Sequence, residues 1–397
     1  MAQALVCEGD WAGVVERLEA FAEPFVGGLS EASQRRHAVE YIAGLLSPLE
    51  RKTSEGMAYL HGQDRKQLQQ FIGESPWEYK MLLYELAKQV GKRLGEADGL
   101  IVFDPSACAK KGTKSVGVAR QWSGRLGKVD NCQVGVYMGY VSRREHALVN
   151  MRLYLPQEWT KDRKRCLAAG VPKSVKFQTR HAQALEMLAE QGAVLPHGWI
   201  AGDDEMGRSG PFREALRLRN ERYLLAVPSN TLFRDAEVSP PEHAGLGRPP
   251  KVPWQRVDRW CAALPASGWT TLDVRDGEKG PLVIEATKRR VQARTPSGGT
   301  GPEEILLITR EKLTDETYKH DYYLSSADDS VSINDLTRVA KAEHRIEECF
   351  QRAKSEAGLG DSQARRWLGW HHHQSLSLVA AWFLNEETQR GKKRLPR

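Results

Sequence analysis

The chain has 397 residues, of which 40% are hydrophobic and 27% are charged, and its formal net charge is +7. This balance is typical of a globular protein and excludes a disordered or fibrous chain. No apolar run reaches the roughly 18 residues that span a bilayer, and the N-terminus lacks the basic and then apolar pattern of a signal peptide. We therefore expect a soluble, cytoplasmic protein that does not bind membranes.

The first hundred residues predict helices. Ser75, Pro76 and Glu78 form a capping-box pattern, so a helix is expected from Ser75 to Gly95. Asp64 marks the start of another helix in the stretch DRKQLQQFI.

From residue 99 the pattern changes to short β-rich runs separated by turn residues. The predicted strands are GLIVFDP, QVGVYMGYVS, HALVNMRLYLP, GWIAGDD and RYLLAVPSN, with a helix over 179–191. Residues 234–256 carry five prolines and predict a loop. More β-like runs follow between 269 and 325, and helices are predicted at 331–356 and 363–388.

Positive charge is concentrated between residues 101 and 180, which hold 16 Lys and Arg against 5 Asp and Glu. Such a block attracts phosphate backbones, but a well-solvated surface has the same composition. We interpret one part of it as a surface that grips the DNA backbone: Lys110, Lys111, Lys114, Arg120, Arg125 and Lys128. Trp122 lies in the same stretch, and we expect it to pack in the core or against a hairpin rather than stack on an unpaired base.

The six cysteines are scattered and form no Cys-x-x-Cys pair: Cys7, Cys108, Cys132, Cys166, Cys261 and Cys349. This spacing suits a reducing compartment and argues against a disulfide framework or a structural zinc site. Three consecutive histidines, His371 to His373, cannot converge on one ion from a helix. We expect one of them to pack in the core and the others to face solvent or DNA.

Two short strands end in an acid, Asp104 after LIVF and Asp203 after WIAG. Strand ends often carry Asp for turn chemistry alone. Three carboxylates from strands and a helix can also hold two divalent ions about 4 Å apart for phosphodiester transfer, and such hard ligands favour Mg²⁺ or Mn²⁺ over zinc. Asp204 follows Asp203, and only one of two strand neighbours can face a site. We favour Asp203.

The stretch AEHRIEECFQRAKSEAG, residues 342–358, predicts an amphipathic helix. At 100° per residue, the apolar stripe consists of Ile346, Cys349, Phe350 and Ala353. Glu347 and Lys354 lie on the shoulder of that stripe, where a cleft would be, together with Glu343. Glu348 points away from the core. An ordinary solvated helix with these charges remains the alternative.

Three blocks carry a resemblance to a known family: FDPSACAKKGTKSVGVARQWSGRLGKVDNCQVGV (103–136), AGDDEMGRS (201–209) and RIEECFQRAKSEAGLG (345–360). With them the chain resembles the DDE transposases of bacterial insertion sequences, and among these the family called IS-seven-zero-one. The resemblance covers about residues 60 to 385. It implies an α/β fold: an RNase H-like mixed sheet flanked by helices, with a β-rich insertion before the last catalytic helix and a helical N-terminal region.

By position, the resemblance implies Asp104, Asp203 and Glu347 as catalytic, metal-binding acids. It implies Lys354 as the signature lysine, which holds a phosphate of the terminal nucleotides. The third block departs from the family signature, because Glu343 stands where the signature has its arginine and Ala340 where it has its tyrosine. Arg345, two residues after Glu343, is the remaining candidate DNA-binding arginine.

The implied domains are a helical N-terminal region for DNA-end binding (1–98), the first part of the core (99–230), a β-rich insertion (231–330), and a helical completion of the core with a basic tail (331–397). The implied activity is Mg²⁺-dependent cutting of insertion-sequence ends (Mn²⁺ as substitute) and their joining to target DNA. Its partners are double-stranded DNA and a second copy of the chain bound to DNA. The alternatives are another RNase H-like nuclease and a domesticated, non-catalytic DNA-binding protein.

Overall fold

The computed structural model describes residues 13–243, 245, 247, 249–277 and 280–392. The N-terminal part of this description is helical: α1 Val14–Val26, α2 Ala32–Leu46, α3 Ser54–Leu60, α4 Arg65–Gly73 and α5 Tyr79–Leu94. Cys7 and the basic residues after 392 lie outside the described residues.

The start of α4 was predicted correctly, and the start of α5 was not. Asp64 caps α4 by accepting a hydrogen bond from Lys66 N at 2.9 Å. Helix α5 begins only at Tyr79, with Glu78 as its N-cap, instead of at Ser75. A tertiary contact explains this later start. Trp77 is buried, and its indole N–H donates to the Phe71 carbonyl at 3.1 Å. This contact holds the residues before Tyr79 outside the helix.

A mixed sheet follows the helices. Its first strands are β1 Leu100–Ala109, β2 Ala119–Ser123, β3 Lys128–Val141, β4 His146–Leu153, β5 Trp199–Gly202 and β6 Tyr223–Ala226. Strand β3 pairs antiparallel with β1 and β4, while β1, β5 and β6 are mutually parallel neighbours. The order across the sheet is therefore β4-β3-β1-β5-β6. Strand β2, which pairs with β3, was not predicted.

Short helices connect these strands: α6 Gln157–Lys161, α7 Arg163–Ala168, α8 Arg180–Gln191, α9 Asp204–Gly207 and α10 Gly210–Arg217. Helix α8 agrees with the predicted span. Its N-cap Thr179 accepts a hydrogen bond from Ala182 N at 3.1 Å, which fixes where the helix starts.

The strands after residue 231 extend the same sheet. They are β7 Leu232–Asp235, β8 Gln255–Arg256, β9 Thr270–Gly277, β10 Gly280–Arg294, β11 Thr300–Lys312 and β12 Tyr318–Ser325, with helix α11 at Val257–Ala262. Strand β12 pairs antiparallel with β6, and β11 and β10 follow outward. A second, smaller apolar core, including Phe233, Trp269 and Ile308, lies in this part.

One ion cluster ties the outer strands to the first part of the sheet. Glu304 on β11 has a fully buried side chain, and Arg213 of α10 donates to it at 2.8 Å. Arg217 and the hydroxyl of Tyr223 also contact Glu304. Because a buried charge requires partners, this cluster fixes β11 against α10 and β6.

Three helices complete the described chain: α12 Ile333–Glu343, α13 Arg345–Ser355 and α14 Trp367–Lys392. The predicted helix over 331–356 is thus interrupted at His344. Helix α14 packs on β4, α2, α4 and α5, so it lies between the sheet and the N-terminal helices. Among the described residues, no helix is both long and apolar enough to span a bilayer.

Candidate active site

Asp104 and Asp203 lie next to each other on neighbouring parallel strands, Asp104 within β1 and Asp203 directly after the end of β5. Phe103 of β1 pairs with Gly202 of β5 in parallel register, and each acid is the next residue along the chain. Neighbouring strands are about 4.8 Å apart, so the backbones of the two acids are adjacent. The sequence predicted both acids at strand ends, which is correct for Asp203 and wrong for Asp104, because β1 continues through Pro105 to Ala109.

The turn after β5 separates the roles of Asp203 and Asp204. The side chain of Asp203 accepts a hydrogen bond from Met206 N at 3.1 Å and caps α9. Asp204 is exposed and forms an ion pair with Arg208 at 2.7 Å. The geometry of the turn therefore directs Asp203 inward and Asp204 towards solvent.

Gly207 allows this turn to lie against β6. A Cβ atom at Gly207 would be only 1.8 Å from the carbonyl oxygen of Ala226. No side chain fits in that space, so glycine is required for Asp203 to hold its position beside β1.

Helix α13 lies along the sheet and brings its charged shoulder to the two aspartates. Ile346 fills the space above Gly139, where a Cβ would be 2.1 Å from Ile346 Cδ1. The ring of Phe350 meets Tyr137 edge to face at 5.1 Å between centroids. One turn later, Lys354 Nζ donates to Ser106 Oγ at 2.9 Å. The predicted apolar stripe of Ile346, Cys349, Phe350 and Ala353 is buried, as expected.

Glu347 and Glu348 are both exposed, but they face different neighbours. Glu348 Oε2 lies 3.4 Å from His146 Nε2 on β4. The charge of Glu347 acts on Asp104 and raises its pKa, together with larger effects described below. The charge of Glu347 thus reaches Asp104, whereas Glu348 contacts His146.

Glu343 is a buried acid at the same place that the sequence prediction left out of the site. It ends α12, is 9% exposed, and raises the pKa of Asp104. The departure from the family signature at this position was visible in the sequence. Its burial was not, because it depends on how α12 packs against β1 and β5.

The electrostatics of the site are those of several acids held together in a partly buried space. Burial, followed by the charges of Asp203 and Glu343, raises the pKa of Asp104 well above its usual value, while Lys354 opposes this rise. Burial raises the pKa of Asp203 to about 6, and burial with the charge of Asp203 raises that of Glu343 to about 8. A cation placed among these oxygens would relieve the repulsion.

The donor chemistry suits a hard divalent cation, because every candidate ligand is a carboxylate. Among the described residues, however, no three His, Cys, Asp or Glu side chains converge closely enough to form a ready-made metal site. The backbones of Asp104 and Asp203 are therefore adjacent, whereas the described acidic side chains are not arranged around a common ion position.

The predicted DNA-binding residues occupy two different settings. Lys111, Lys114, Arg120 and Lys128 are exposed around the β2–β3 hairpin, and the side chain of Arg125 lies outside the described part of the chain. Lys110 is half-buried, and its ammonium group donates to the Ser362 carbonyl. Arg345 donates to the Ser142 carbonyl at 2.7 Å, in the β3–β4 turn.

Trp122 was expected in the core or against a hairpin; the core position was wrong, since its side chain is 59% exposed, and the residue lies on the β2–β3 hairpin. It lies opposite Val129 in the pairing of β2 with β3, and this hairpin extends past the end of β1. No core element reaches the hairpin at this point in the register, which explains the exposure.

The expectation for the three histidines was wrong for two of them, because all three are buried. His371 contacts the Trp367 carbonyl at 2.8 Å, and His373 lies 2.8 Å from the Tyr41 hydroxyl. His372 stacks on Trp77 with 3.6 Å between ring centroids. Residues 369–380 of α14 are all buried, so this part of the helix leaves no face for solvent or DNA. The five described cysteines are free thiols.

Comparison with known proteins identifies relatives of this chain. A probable transposase for insertion sequence element IS701 from Microchaete diplosiphon is 27% identical over 249 residues, which cover 62% of this chain and 60% of that protein. The chain thus matches less than two thirds of the length of this curated relative. A cryo-EM structure of a piggyBac transposase synaptic complex with hairpin DNA aligns over 97% of this chain and 74% of its own, with 11% identity. Its TM-score of 0.44 is too low to carry an argument.

A family model described as DDE superfamily endonuclease matches residues 24–281. The match includes Asp104 and Asp203 and ends before Glu347. It extends over more than half of the 397 residues. The chain belongs to the DDE superfamily endonucleases.

Proposed function

We propose that this protein is a DNA transposase that cuts the ends of an insertion sequence and joins them to target DNA by two-metal phosphodiester hydrolysis and strand transfer. The observation that carries the proposal is the pairing of Phe103 with Gly202, which makes Asp104 and Asp203 neighbours across two central strands of the sheet. The family assignment gives this pair of acids its chemical context.

We also propose that the core is RNase H-like and that the chain is divided at about residues 98, 230 and 330. The order β4-β3-β1-β5-β6, with β3 antiparallel to β1 and with β5 and β6 parallel to it, supports the first part. In this proposed division into domains, helices α1 to α5 bind the terminal inverted repeats, and strands β7 to β12 form the insertion.

The proposed ligands of two Mg²⁺ ions, for which Mn²⁺ is a substitute, are Asp104, Asp203 and Glu347. When bound, the ions activate the attacking oxygen and stabilise the leaving oxygen. Glu343 is a fourth carboxyl group close to Asp104 and Asp203.

The chain itself positions the reactants. The hydrogen bond from Met206 N holds one oxygen of Asp203, so the other is directed by the α9 turn. Lys354, fixed by Ser106, offers a positive charge beside Asp104 for a phosphate of the DNA end. Partial burial around Asp104 lowers the local dielectric, which strengthens each of these interactions.

The proposed partners are double-stranded DNA, as terminal inverted repeats and as target, and a second copy of the chain on DNA. Lys110, Lys111, Lys114, Arg120, Arg125 and Lys128, with Arg345, are the proposed contacts to the DNA backbone. The proposed location is the bacterial cytoplasm, in association with the nucleoid.

The decisive experiment uses neighbouring acids as matched controls. The protein is incubated with duplex DNA from the ends of its own element and Mg²⁺, and the cuts are mapped. Asp104→Asn and Asp203→Asn are expected to abolish cleavage and leave DNA binding intact. Asp204→Asn is expected to cleave normally, because Asp204 faces Arg208 and solvent. Cleavage by Asp104→Asn at the wild-type rate would reject the assignment.

The same logic applies on α13. Glu347→Gln should remove cleavage and Glu348→Gln should keep it, since Glu348 faces His146. Equal losses from both substitutions would show that neither is a specific ligand.

The basic residues are tested by the salt dependence of DNA binding. Replacing Lys111 and Lys114 by alanine should flatten the slope of log K against log salt by about one per lost contact. Lys110→Ala should change it less, because the Lys110 ammonium already contacts Ser362. An unchanged slope in the double variant would remove these lysines from the interface.

The non-catalytic alternative is favoured by one observation, that no three acids converge on a metal position among the described residues. It predicts that the wild-type protein binds element ends and never cuts them at any Mg²⁺ or Mn²⁺ concentration. The cleavage assay therefore separates the two functions directly.

A further inference from the structure

The β2–β3 hairpin projects away from the candidate active site along a single continuous strand. On β3, Tyr137 is the partner of Asp104, and Val129 is the partner of Trp122. Eight residues separate these two positions, which corresponds to about 26 Å at 3.3 Å per residue. Strand β1 ends at Ala109, which pairs with Cys132. The end of the hairpin, residues 120–129, therefore extends beyond β1, and we refer to it as the hairpin tip.

The hairpin tip exposes three large apolar side chains close together. Trp122 is 59% exposed, Leu126 42% and Val129 48%. Trp122 and Val129 are directly opposite in the ladder, so they lie on one face of the hairpin. Single exposed apolar residues are common, but a cluster that includes a tryptophan indicates a contact surface.

The charges near this cluster indicate the type of partner. Arg120 and Lys128 are exposed within the hairpin tip, and Lys111 and Lys114 are exposed in the loop before β2. One acid, Asp130, lies at the base of the tip and is paired with Lys128 at 3.3 Å. The guanidinium of Arg120 also donates to the Val129 carbonyl at 3.4 Å, next to the apolar pair. A positive surface with an exposed aromatic ring suits a nucleic acid, whose phosphates are negative and whose sugars and bases are apolar.

We propose that the hairpin tip binds duplex DNA in a groove, with Trp122 and Val129 against sugars and base edges and the basic residues on the flanking phosphates. A two-stranded β ribbon is of the size that the major groove admits. This inference rests on the proposed function, because it takes the DNA cut at Asp104 as the same duplex.

The length of β3 then sets where the contact falls. About 26 Å along B-DNA, at 3.4 Å per base pair, is about eight base pairs. Contacts are therefore expected about six to nine base pairs from the scissile phosphate. The hairpin tip should thus contact the duplex at a fixed distance from the cut.

Crosslinking tests this distance on the full-length protein. A photoreactive benzoylphenylalanine replaces Trp122, and the protein is bound to element-end duplex in Ca²⁺ to prevent cutting. The crosslinked nucleotide is expected about six to nine base pairs from the mapped cut. The same group at Leu218 is the control: that side chain is 79% exposed, and it lies just before β6, at the opposite ends of the parallel strands from Asp104. It should give no crosslink.

Affinity gives an independent readout. Trp122→Ala should weaken binding of the long duplex about tenfold, within the range expected for loss of one aromatic contact. Trp122→Phe should stay within about threefold of the wild type. On a duplex that ends five base pairs from the cut, Trp122→Ala and the wild type should bind equally.

Several outcomes would overturn the inference while leaving the transposase proposal in place. One is that Trp122→Ala cleaves like the wild type and binds the long duplex with unchanged affinity. Another is that Trp122→Ala binds the long and the short duplex equally more weakly than the wild type. A third is that the crosslinks lie elsewhere on the DNA. A change in oligomeric mass on Trp122→Ala would instead assign the hairpin tip to a second copy of the chain. Failure of the wild-type protein to cut any end DNA would count against the proposed function itself.

Discussion

The ammonium of Lys354 donates a hydrogen bond to Ser106 Oγ at 2.9 Å, two residues beyond Asp104 on β1. Because side chains two apart on a strand share a face, this places a positive charge on the same face as the first candidate acid. The contact also links α13 to β1. It is one of several contacts that join α13, which lies outside the family match, to strands inside it.

Lys354→Met is expected to weaken binding of cleaved element ends, since it removes one charged hydrogen bond worth about 1.5 to 3 kcal/mol. Lys354→Arg should retain most of the affinity. Ser106→Ala should cost less than Lys354→Met, because the ammonium remains. Fluorescence anisotropy with a labelled end duplex measures all three. A larger loss in Ser106→Ala than in Lys354→Met would contradict a phosphate-binding role for the lysine.

The affinity for divalent ions is expected to fall as the pH is lowered towards 6. The pKa of Asp203 is raised to about 6 and that of Asp104 is raised well above its usual value, both by burial first. Protons therefore compete with the ion, and binding releases them. Calorimetry with Mn²⁺ in two buffers of different ionisation enthalpy measures this release. Asp104→Asn should reduce it, whereas Asp204→Asn should not, and identical heats in both buffers would count against the site.

Acid should destabilise the fold through the buried histidines. Burial lowers the pKa of His371 to about 3 and those of His372 and His373 to about 4. Between pH 6.5 and 4 the unfolded chain takes up protons that the folded chain does not, so the free energy of unfolding falls as the pH falls. Each of these histidines should lower the free energy of unfolding by about 3 kcal/mol over this pH range.

Urea unfolding at a series of pH values measures that slope. His371→Phe should flatten it, since one titrating group is lost from the folded interior. His243→Asn should leave it unchanged, because His243 is exposed. A slope that is the same in His371→Phe and the wild type would show that this ring does not resist protonation.

Gly207→Ala should destabilise the protein by about 1 to 3 kcal/mol, because its Cβ would be 1.8 Å from a backbone oxygen of β6. It should also reduce cleavage, since α9 would move with Asp203. Gly112→Ala is the control, as no atom lies within 4 Å of its added methyl group. Thermal unfolding and the cleavage assay measure both effects. Equal stability of the two variants would show that the α9 turn can relax.

The strands and the two aspartates were predictable because they depend on local patterns. The β-rich runs LIVF and WIAG correctly indicated β1 and β5, although β1 continues past Asp104 to Ala109, and helical spacing correctly indicated the buried stripe of α13. The burial of Glu343 and His372 was not predictable, because each depends on a neighbour distant in sequence. The same holds for the start of α5, which is delayed by the contact between Trp77 and Phe71. Strand β2 was missed because its sequence, ARQWS, is polar and exposed.

The pairing of β6 with β12 has a consequence for anyone who wishes to trim the protein. Because the region after residue 231 continues the central sheet, it cannot be deleted without exposing part of that sheet. Its removal would leave β6 as a bare edge, open to pairing with other chains. It would also leave the buried Arg213 without its ion-pair partner Glu304. A minimal catalytic fragment would have to keep β11 and β12, or aggregate.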